Sequence, residues 1–94
     1  MFTWDVKKAL ANFEKHAISF EEAATAFADT DGLDGVDQKH SQLEPRHFRV
    51  ARSAEGKVLT IIYTVRRTSD GKETIRIISA RKASRKERAA YQRR

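Results

Sequence analysis

Apolar residues recur with helical spacing near the start of the chain. Phe2 and Trp4 alternate with polar residues, which predicts a short strand over the first four residues. After Trp4, apolar residues fall at positions i, i+3, i+4 and i+7. This spacing predicts a helix with one apolar stripe, formed by Val6, Ala9, Leu10 and Phe13.

A second helix is predicted from a capping signal. In Ser19-Phe20-Glu21-Glu22, the serine side-chain oxygen would accept a hydrogen bond from the backbone N–H of Glu22. The Glu22 carboxylate would in turn accept one from the backbone N–H of Ser19. This helix is expected to end near Phe27. Residues 29–40 hold aspartates and two glycines with little periodicity, which predicts an exposed loop, or a loop with a short strand at its front.

The pattern then changes to the two-residue period of β-strands. Strands are predicted over residues 47–53, 57–67 and 73–80. Ala54-Glu55-Gly56 and Asp70-Gly71 supply the turns between them. Both faces of the second segment are largely apolar, so we expect it to be the central strand of an antiparallel meander of at least three strands.

A second capping box, Ser84-Arg85-Lys86-Glu87, predicts a final helix that ends near Arg93. It is too short to be stable alone, and its apolar face is small, so it must dock on the sheet or on a partner. The 94 residues therefore predict one α+β domain, with two N-terminal helices, a small antiparallel sheet and one C-terminal helix.

The charge of the chain is unevenly divided. Residues 1–45 contain four lysines against nine acidic residues, whereas residues 46–94 contain fifteen basic residues against four acidic ones. The basic half indicates an anionic partner such as nucleic acid. The chain has no cysteine, which excludes disulfides and cysteine nucleophiles. It lacks the pattern of a signal peptide or a membrane span, so we expect a cytoplasmic protein with no membrane partner.

Basic residues within and just after the predicted strands form the main candidate site. Side chains of neighbouring strands can converge on one face of a sheet, where several arginines would bind one anion. The alternative is that each is a solvated residue that protects a sheet edge from pairing. The residues concerned are Arg49, Arg66, Arg76, Arg81 and Lys82.

An arginine cluster of this kind could cleave RNA without a metal ion. When the 2′-hydroxyl attacks its own phosphate, charge builds on the phosphorane oxygens, and arginines aimed at those oxygens would stabilise it. A proton acceptor and a donor are also needed; the candidates are His16, His47 or a lysine among positive neighbours. His16 could instead complement the helix dipole, and His40 is expected to be solvated in its loop.

Metal and cofactor chemistry finds little support. The three histidines and the scattered acids match no metal-ligand spacing, and the aspartate-rich loop lacks the ligand order of a calcium site. A glycine-rich loop that could hold phosphates is also missing. We therefore expect neither a metal ion nor a cofactor.

Several motifs occur together in this chain, among them Lys15-His16, Ile75 to Ala83 and Glu87-Arg88-x-x-Tyr91. Together they resemble the BrnT family of toxins from type II toxin–antitoxin systems. The run from Arg76 to Ala83, with the Glu-Arg pair and the tyrosine that follow it, is the most specific, and the resemblance covers nearly the whole chain. Ala17 departs from it, because a glycine is usual after the Lys-His pair. The matching stretches are Trp4-Asp5, Lys8, Asn12, Lys15-His16, Ser19 to Ala23, Glu44-x-Arg46, Leu59 to Arg66, Ile75 to Ala83 and Glu87-Arg88-x-x-Tyr91.

The resemblance implies a RelE-like fold and a metal-independent endoribonuclease that arrests translation and growth. It also implies a cognate BrnA-type antitoxin with a ribbon-helix-helix module, two toxins on an antitoxin dimer, and contact with operator DNA only through the antitoxin. A non-catalytic basic module that binds nucleic acid is the main alternative. A protein-interaction domain whose charge serves an acidic partner is a third.

By position, the resemblance assigns phosphate and transition-state contacts to five residues, and proton transfer or substrate positioning to two more. The first group is Arg46, Arg66, Arg76, Arg81 and Lys82; the second is Lys15 and His16. We further predict RNA contacts for Arg49, Arg85 and Tyr91, with packing on the sheet as the alternative for the tyrosine. Replacing Arg81 by alanine is expected to keep the fold, because a strand-end arginine contributes little to a core.

Overall fold

The computed structural model describes residues 1–37 and 44–93, so the prediction for His40 lies outside the described residues. Along the chain the strands and helices follow in the order β-α-α-β-β-β-β-α. Their bounds are β1 (Phe2–Thr3), α1 (Val6–His16), α2 (Phe20–Thr25) with a 3₁₀ turn (Ala26–Ala28), β2 (Leu33–Asp37), β3 (Arg46–Arg52), β4 (Val58–Arg67), β5 (Glu73–Lys82) and α3 (Arg85–Gln92).

The strands form one sheet in the order β1-β5-β4-β3-β2. The predicted three-stranded meander is present, with β4 at its centre, and β1 adds a short parallel strand beside β5. β5 runs two residues further than predicted and therefore includes Arg81 and Lys82.

The segment after the second helix contains a short strand, as one of the two alternatives predicted: β2 pairs with β3 as an antiparallel edge strand. Gly35 faces Phe48 across this pair. A Cβ at Gly35 would lie 2.4 Å from the phenylalanine ring, so glycine permits the close pairing. A strand with two aspartates and a glycine has little hydrophobic period, so its structure depends on its partner strand rather than on a local pattern.

Two small cores lie on the two faces of the sheet. On one face, Leu59, Ile61 and Ile77 are buried against Ile18 and Phe20 from the helical layer. We call this the helix face. On the other face, α3 packs through Tyr91 onto Val50, Val58 and Ala83. The final helix therefore docks on the sheet, as its short length and small apolar face predicted.

The capping signals of the two shorter helices have different outcomes. In α3 the full capping box forms, because the Ser84 and Glu87 side chains each accept a hydrogen bond from the other residue's backbone N–H. In α2 half of the predicted box forms: Ser19 Oγ accepts from the Glu22 N–H at 3.0 Å. The Glu22 carboxylate instead accepts hydrogen bonds from Ser53 and Lys57, because tertiary contacts offer it stronger partners.

Helix α1 docks on the sheet through a polar residue. The Asn12 side chain donates to the carbonyl of Ala80 at 2.8 Å and accepts from the Ala80 N–H at 3.1 Å, so its amide substitutes for a strand at the edge of β5. An apolar helical stripe usually faces a core. Here Val6, Leu10 and Phe13 are exposed, because the side of the helix that carries Asn12 faces the sheet.

No helix in the described part of the chain has the length and apolarity needed to cross a bilayer.

Candidate anion-binding site

A bulge in β5 brings together arginines that simple alternation would separate. Arg81 pairs with Thr60 of β4, and Arg76 pairs with Thr64. Thr60 and Thr64 lie on the same face because they are four residues apart in one strand. Relative to β4, β5 carries one extra residue at Ile78, so Arg76 and Arg81 also share that face although they are five residues apart.

Three more arginines lie on this face, and one of them, Arg52, pairs with Val58 and lies over the Tyr91 ring of α3. Arg46 precedes His47, which pairs with Tyr63, so the register places Arg46 across from Thr64. Arg66 follows Thr64 by two residues in β4 and therefore points to the same side. We call this surface, opposite to the helix face, the arginine face; besides Arg52 it carries Arg46, Arg66, Arg76 and Arg81.

The arginines of this face differ in their partners. Arg66 Nη2 lies 3.0 Å from Glu44 Oε1, and both side chains are about half exposed, so the pair contributes little to stability. Arg76 forms no ion pair within residues 1–37 and 44–93 and is half-buried. Its charge is therefore available to a ligand.

Arg81 is engaged in a strong pair. Its guanidinium donates two hydrogen bonds to the Glu87 carboxylate of α3, at 2.8 and 2.9 Å. This contact, with further hydrogen bonds from Ser84 and Thr60, lowers the pKa of Glu87 to about 2 despite partial burial. The pair ties α3 to β5, and the expectation that Arg81→Ala keeps the fold stays a prediction.

Thr64 was not selected by the sequence analysis as a site residue. It is 2% exposed, and within the described part of the chain its hydroxyl has no hydrogen-bond partner. Buried polar groups are nearly always paired, so the Thr64 hydroxyl is an exception, and it lies in the strand register between Arg46 and Arg76. A threonine in a β-branched strand carries no sequence signal of this kind, because strands favour threonine for its shape alone.

Arg49, predicted to bind RNA, lies on the helix face and is 8% exposed. Its guanidinium donates to the carbonyls of Ala26 and Asp29 and to the carboxylate of Asp34. It also stacks over Phe27, 5.5 Å from the ring centre. The RNA-binding prediction is corrected for this residue, because its donors are used to join β3 to the turn after α2 and to β2.

Tyr91 is also a packing residue, as the alternative interpretation held. It is 4% exposed, and its hydroxyl donates to Asp29 at 2.6 Å. Burial opposes ionisation of Asp29, but hydrogen bonds from Tyr91 and from the backbone of Arg52 and Asp31 outweigh it and lower the pKa of Asp29 to about 2. The predicted RNA contact of Tyr91 is corrected, because the ring is covered.

The remaining predicted residues lie near α3, away from the Arg46, Arg66 and Arg76 side chains. Lys82 pairs with Leu59 at the end of β5. Its exposed side chain lines a basic pocket of about 350 Å³ with Arg52, Lys57 and Arg88. Arg85 is exposed in the first turn of α3.

The proton-transfer candidates belong to the helical layer or the helix face. Lys15 and His16 occupy the last turn of α1, one turn after the residue that bonds Ala80. His47 stacks on Tyr63, with ring centres 5.3 Å apart. His47 thus lies on the opposite side of the sheet from the arginine face, and Lys15 and His16 lie outside the sheet. The described residues contain no group of three or more side chains suited to hold a metal ion.

Comparisons with known proteins agree with this architecture. Residues 4–87 match the family model described as the ribonuclease toxin BrnT of type II toxin–antitoxin systems. The fold is similar to the 1.1 Å crystal structure of the Brucella abortus ribonuclease toxin BrnT, with a TM-score of 0.61 and 20% identity over 90% of this chain and 99% of that chain. No curated protein matches the chain.

Proposed function

Because the chain belongs to the BrnT family of ribonuclease toxins from type II toxin–antitoxin systems, we propose that it is a metal-independent endoribonuclease that uses the arginine face. One observation carries this proposal: three strands contribute Arg46, Arg66 and Arg76 to one side of the sheet. Guanidinium groups held on a rigid sheet suit a phosphate that gains negative charge in the transition state.

The chemistry requires a proton balance as well as positive charge. The 2′-oxygen forms a bond to phosphorus and gives up its proton, while the bond to the 5′-oxygen breaks and that oxygen takes a proton. The products are a 2′,3′-cyclic phosphate and a 5′-hydroxyl. We assign the proton-transfer or positioning role to Lys15 and His16 of α1, and an RNA-backbone contact to Lys82 and Arg85.

A non-catalytic RNA- or DNA-binding module is the second candidate. It is favoured by the observation that His47, the histidine in the sheet, stacks on Tyr63 of the helix face, whereas Arg46, Arg66 and Arg76 lie on the opposite face. Binding to phosphates needs positive charge alone, whereas cleavage also needs proton transfer.

The protein antitoxin of this family is proposed to be a BrnA-type ribbon-helix-helix dimer that carries two toxins. Operator DNA would then be contacted through the antitoxin, and release of the toxin in the cytoplasm would arrest translation. The basic half of the chain supports this arrangement, because an acidic antitoxin segment could cover the arginine face and compete with RNA. An association rate that does not change with salt would contradict such electrostatic attraction.

The decisive experiment compares purified wild type with Arg76→Ala on single-stranded RNA in the presence of EDTA. We expect cleavage by wild type to cyclic-phosphate ends, and a loss of roughly 100-fold or more in the variant, as for removal of a charge-stabilising donor. Arg67→Ala is the matched control, since Arg67 is exposed at the hairpin end and pairs with Glu73.

Three outcomes would change the proposal. Loss of cleavage in EDTA would contradict metal independence. Folded wild type that binds RNA without cleaving it would favour the second candidate. Equal losses in the Arg76 and Arg67 variants would mean that net charge, rather than the arginine face, supports the reaction.

A further inference from the structure

Thr60 and Thr64 occupy equivalent positions on the arginine face, and each pairs with an arginine of β5. At Thr60, the hydroxyl and the partner Arg81 both donate to the same oxygen of Glu87, each at 2.8 Å. A threonine hydroxyl and a cross-strand guanidinium thus hold one anionic oxygen between them.

Thr64 and its partner Arg76 present the same two groups in the same register. The Thr64 hydroxyl is buried and has no partner within residues 1–37 and 44–93, and Arg76 has no carboxylate there. A guanidinium has no acceptor atom, so Arg76 and the facing Arg46 cannot accept the proton of this hydroxyl. The acceptor that suits the position is an oxygen of an anionic ligand, which the two arginines would attract.

We propose that Thr64 is a substrate-contacting residue whose hydroxyl donates to a phosphate oxygen of RNA held by Arg46 and Arg76. The inference rests on the proposed function, which supplies RNA as the source of the phosphate. Because the hydroxyl is covered in the free protein, neighbouring side chains shift when the phosphate enters. A hydroxyl directed at this oxygen fixes the phosphate relative to the sheet, which two flexible arginine side chains do less well.

The test compares Thr64→Val, which removes the hydroxyl and keeps the shape, with Thr64→Ser, which keeps the hydroxyl. Two quantities are measured: cleavage of single-stranded RNA, and affinity for the same sequence with 2′-O-methyl groups, which binds without being cut. We expect the valine variant to lose about tenfold in both, the size of one hydrogen bond to a charged group. The serine variant is expected to retain both.

Stability provides the control for a purely structural role. Thr64→Val removes an unpaired buried hydroxyl, so its melting temperature should equal or exceed that of wild type. Thr60→Val removes a hydroxyl that is bonded to Glu87, so its melting temperature should fall. A Thr64→Val protein that melts lower, in parallel with Thr60→Val, would overturn the proposal.

The inference and the proposed function fail in different ways. If wild type cleaves RNA and Thr64→Val cleaves and binds equally well, the inference is wrong and the proposed function stands. If wild type does not cleave but Thr64→Val weakens binding of the methylated RNA, the ribonuclease proposal is wrong and the contact from Thr64 stands.

Discussion

Arg76 and Arg81 lie five residues apart in β5, and both side chains lie on the same face of the sheet. In a regular strand, residues separated by an odd number point to opposite faces. The extra residue at Ile78 shifts the alternation by one, so both arginines point to the same face. Arg76 then lies across from Thr64, and Arg81 lies across from Thr60. The two arginines then differ in role: Arg81 holds α3 through Glu87, whereas Arg76 has no ion-pair partner in the described part of the chain.

Alanine variants of Arg49 and Arg76 should affect different properties: the first should lower stability, and the second should weaken RNA binding. Arg49→Ala would leave two backbone carbonyls and Asp34 without their donor, so we expect the free energy of unfolding to fall by about 3 kcal/mol. Arg76→Ala should change it by no more than about 0.5 kcal/mol, because this side chain has no such partners. Urea denaturation measures both. An Arg49→Ala protein of normal stability that binds RNA weakly would restore the RNA-contact prediction for Arg49.

Acid should weaken the docking of α3. The pKa of Glu87 is lowered from 4.5 to about 2, chiefly by the hydrogen bonds from Arg81, so the folded state favours the charged carboxylate. Its contribution to stability is therefore complete above pH 4.5 and is lost as the pH falls from 4.5 towards 2. We expect the melting temperature of wild type to fall more steeply over this range than that of Glu87→Gln. Parallel curves for the two proteins would show that the pair does not stabilise the fold.

Two leucines test which apolar positions form the core. Leu59 is 0% exposed in β4, so Leu59→Ala should lower the free energy of unfolding by about 2–5 kcal/mol. Leu10 is 63% exposed in α1, so Leu10→Ala should cost less than about 1 kcal/mol. Both values come from chemical denaturation of the free toxin. A large loss for Leu10→Ala would indicate that the stripe of α1 is buried in solution.

Ala17 carries a backbone cost that glycine would relieve. It ends α1 in the left-handed conformation, with φ 59° and ψ 25°, and its N–H donates to the carbonyl of Phe13. Ala17→Gly should therefore raise the free energy of unfolding by about 1 kcal/mol. Ala11→Gly, at an exposed position inside the same helix, should lower it by a similar amount. If both glycines destabilise the protein, the left-handed end of α1 is not strained.

The sequence determined the features that depend on neighbouring residues. The two-residue period of β3, β4 and β5 and their turns predicted the meander, and the apolar faces of β4 placed it at the centre. The serine and glutamate at the start of α3 predicted its capping box. The division of charge, and the resemblance to the BrnT family, indicated a basic face of the sheet. All of these follow from local dihedral preferences and side-chain chemistry, which a linear pattern records.

The tertiary structure decided which of these faces are covered and which groups meet. Periodicity predicted the stripe of α1, but Asn12 turns the helix so that Leu10 is exposed. Arg49 and Arg76 are alike as strand arginines, yet cross-strand neighbours and a bulge place one on the helix face and the other on the arginine face. Such outcomes depend on contacts between residues far apart in the chain, because burial and hydrogen-bond partners belong to the packed sheet and not to a single segment.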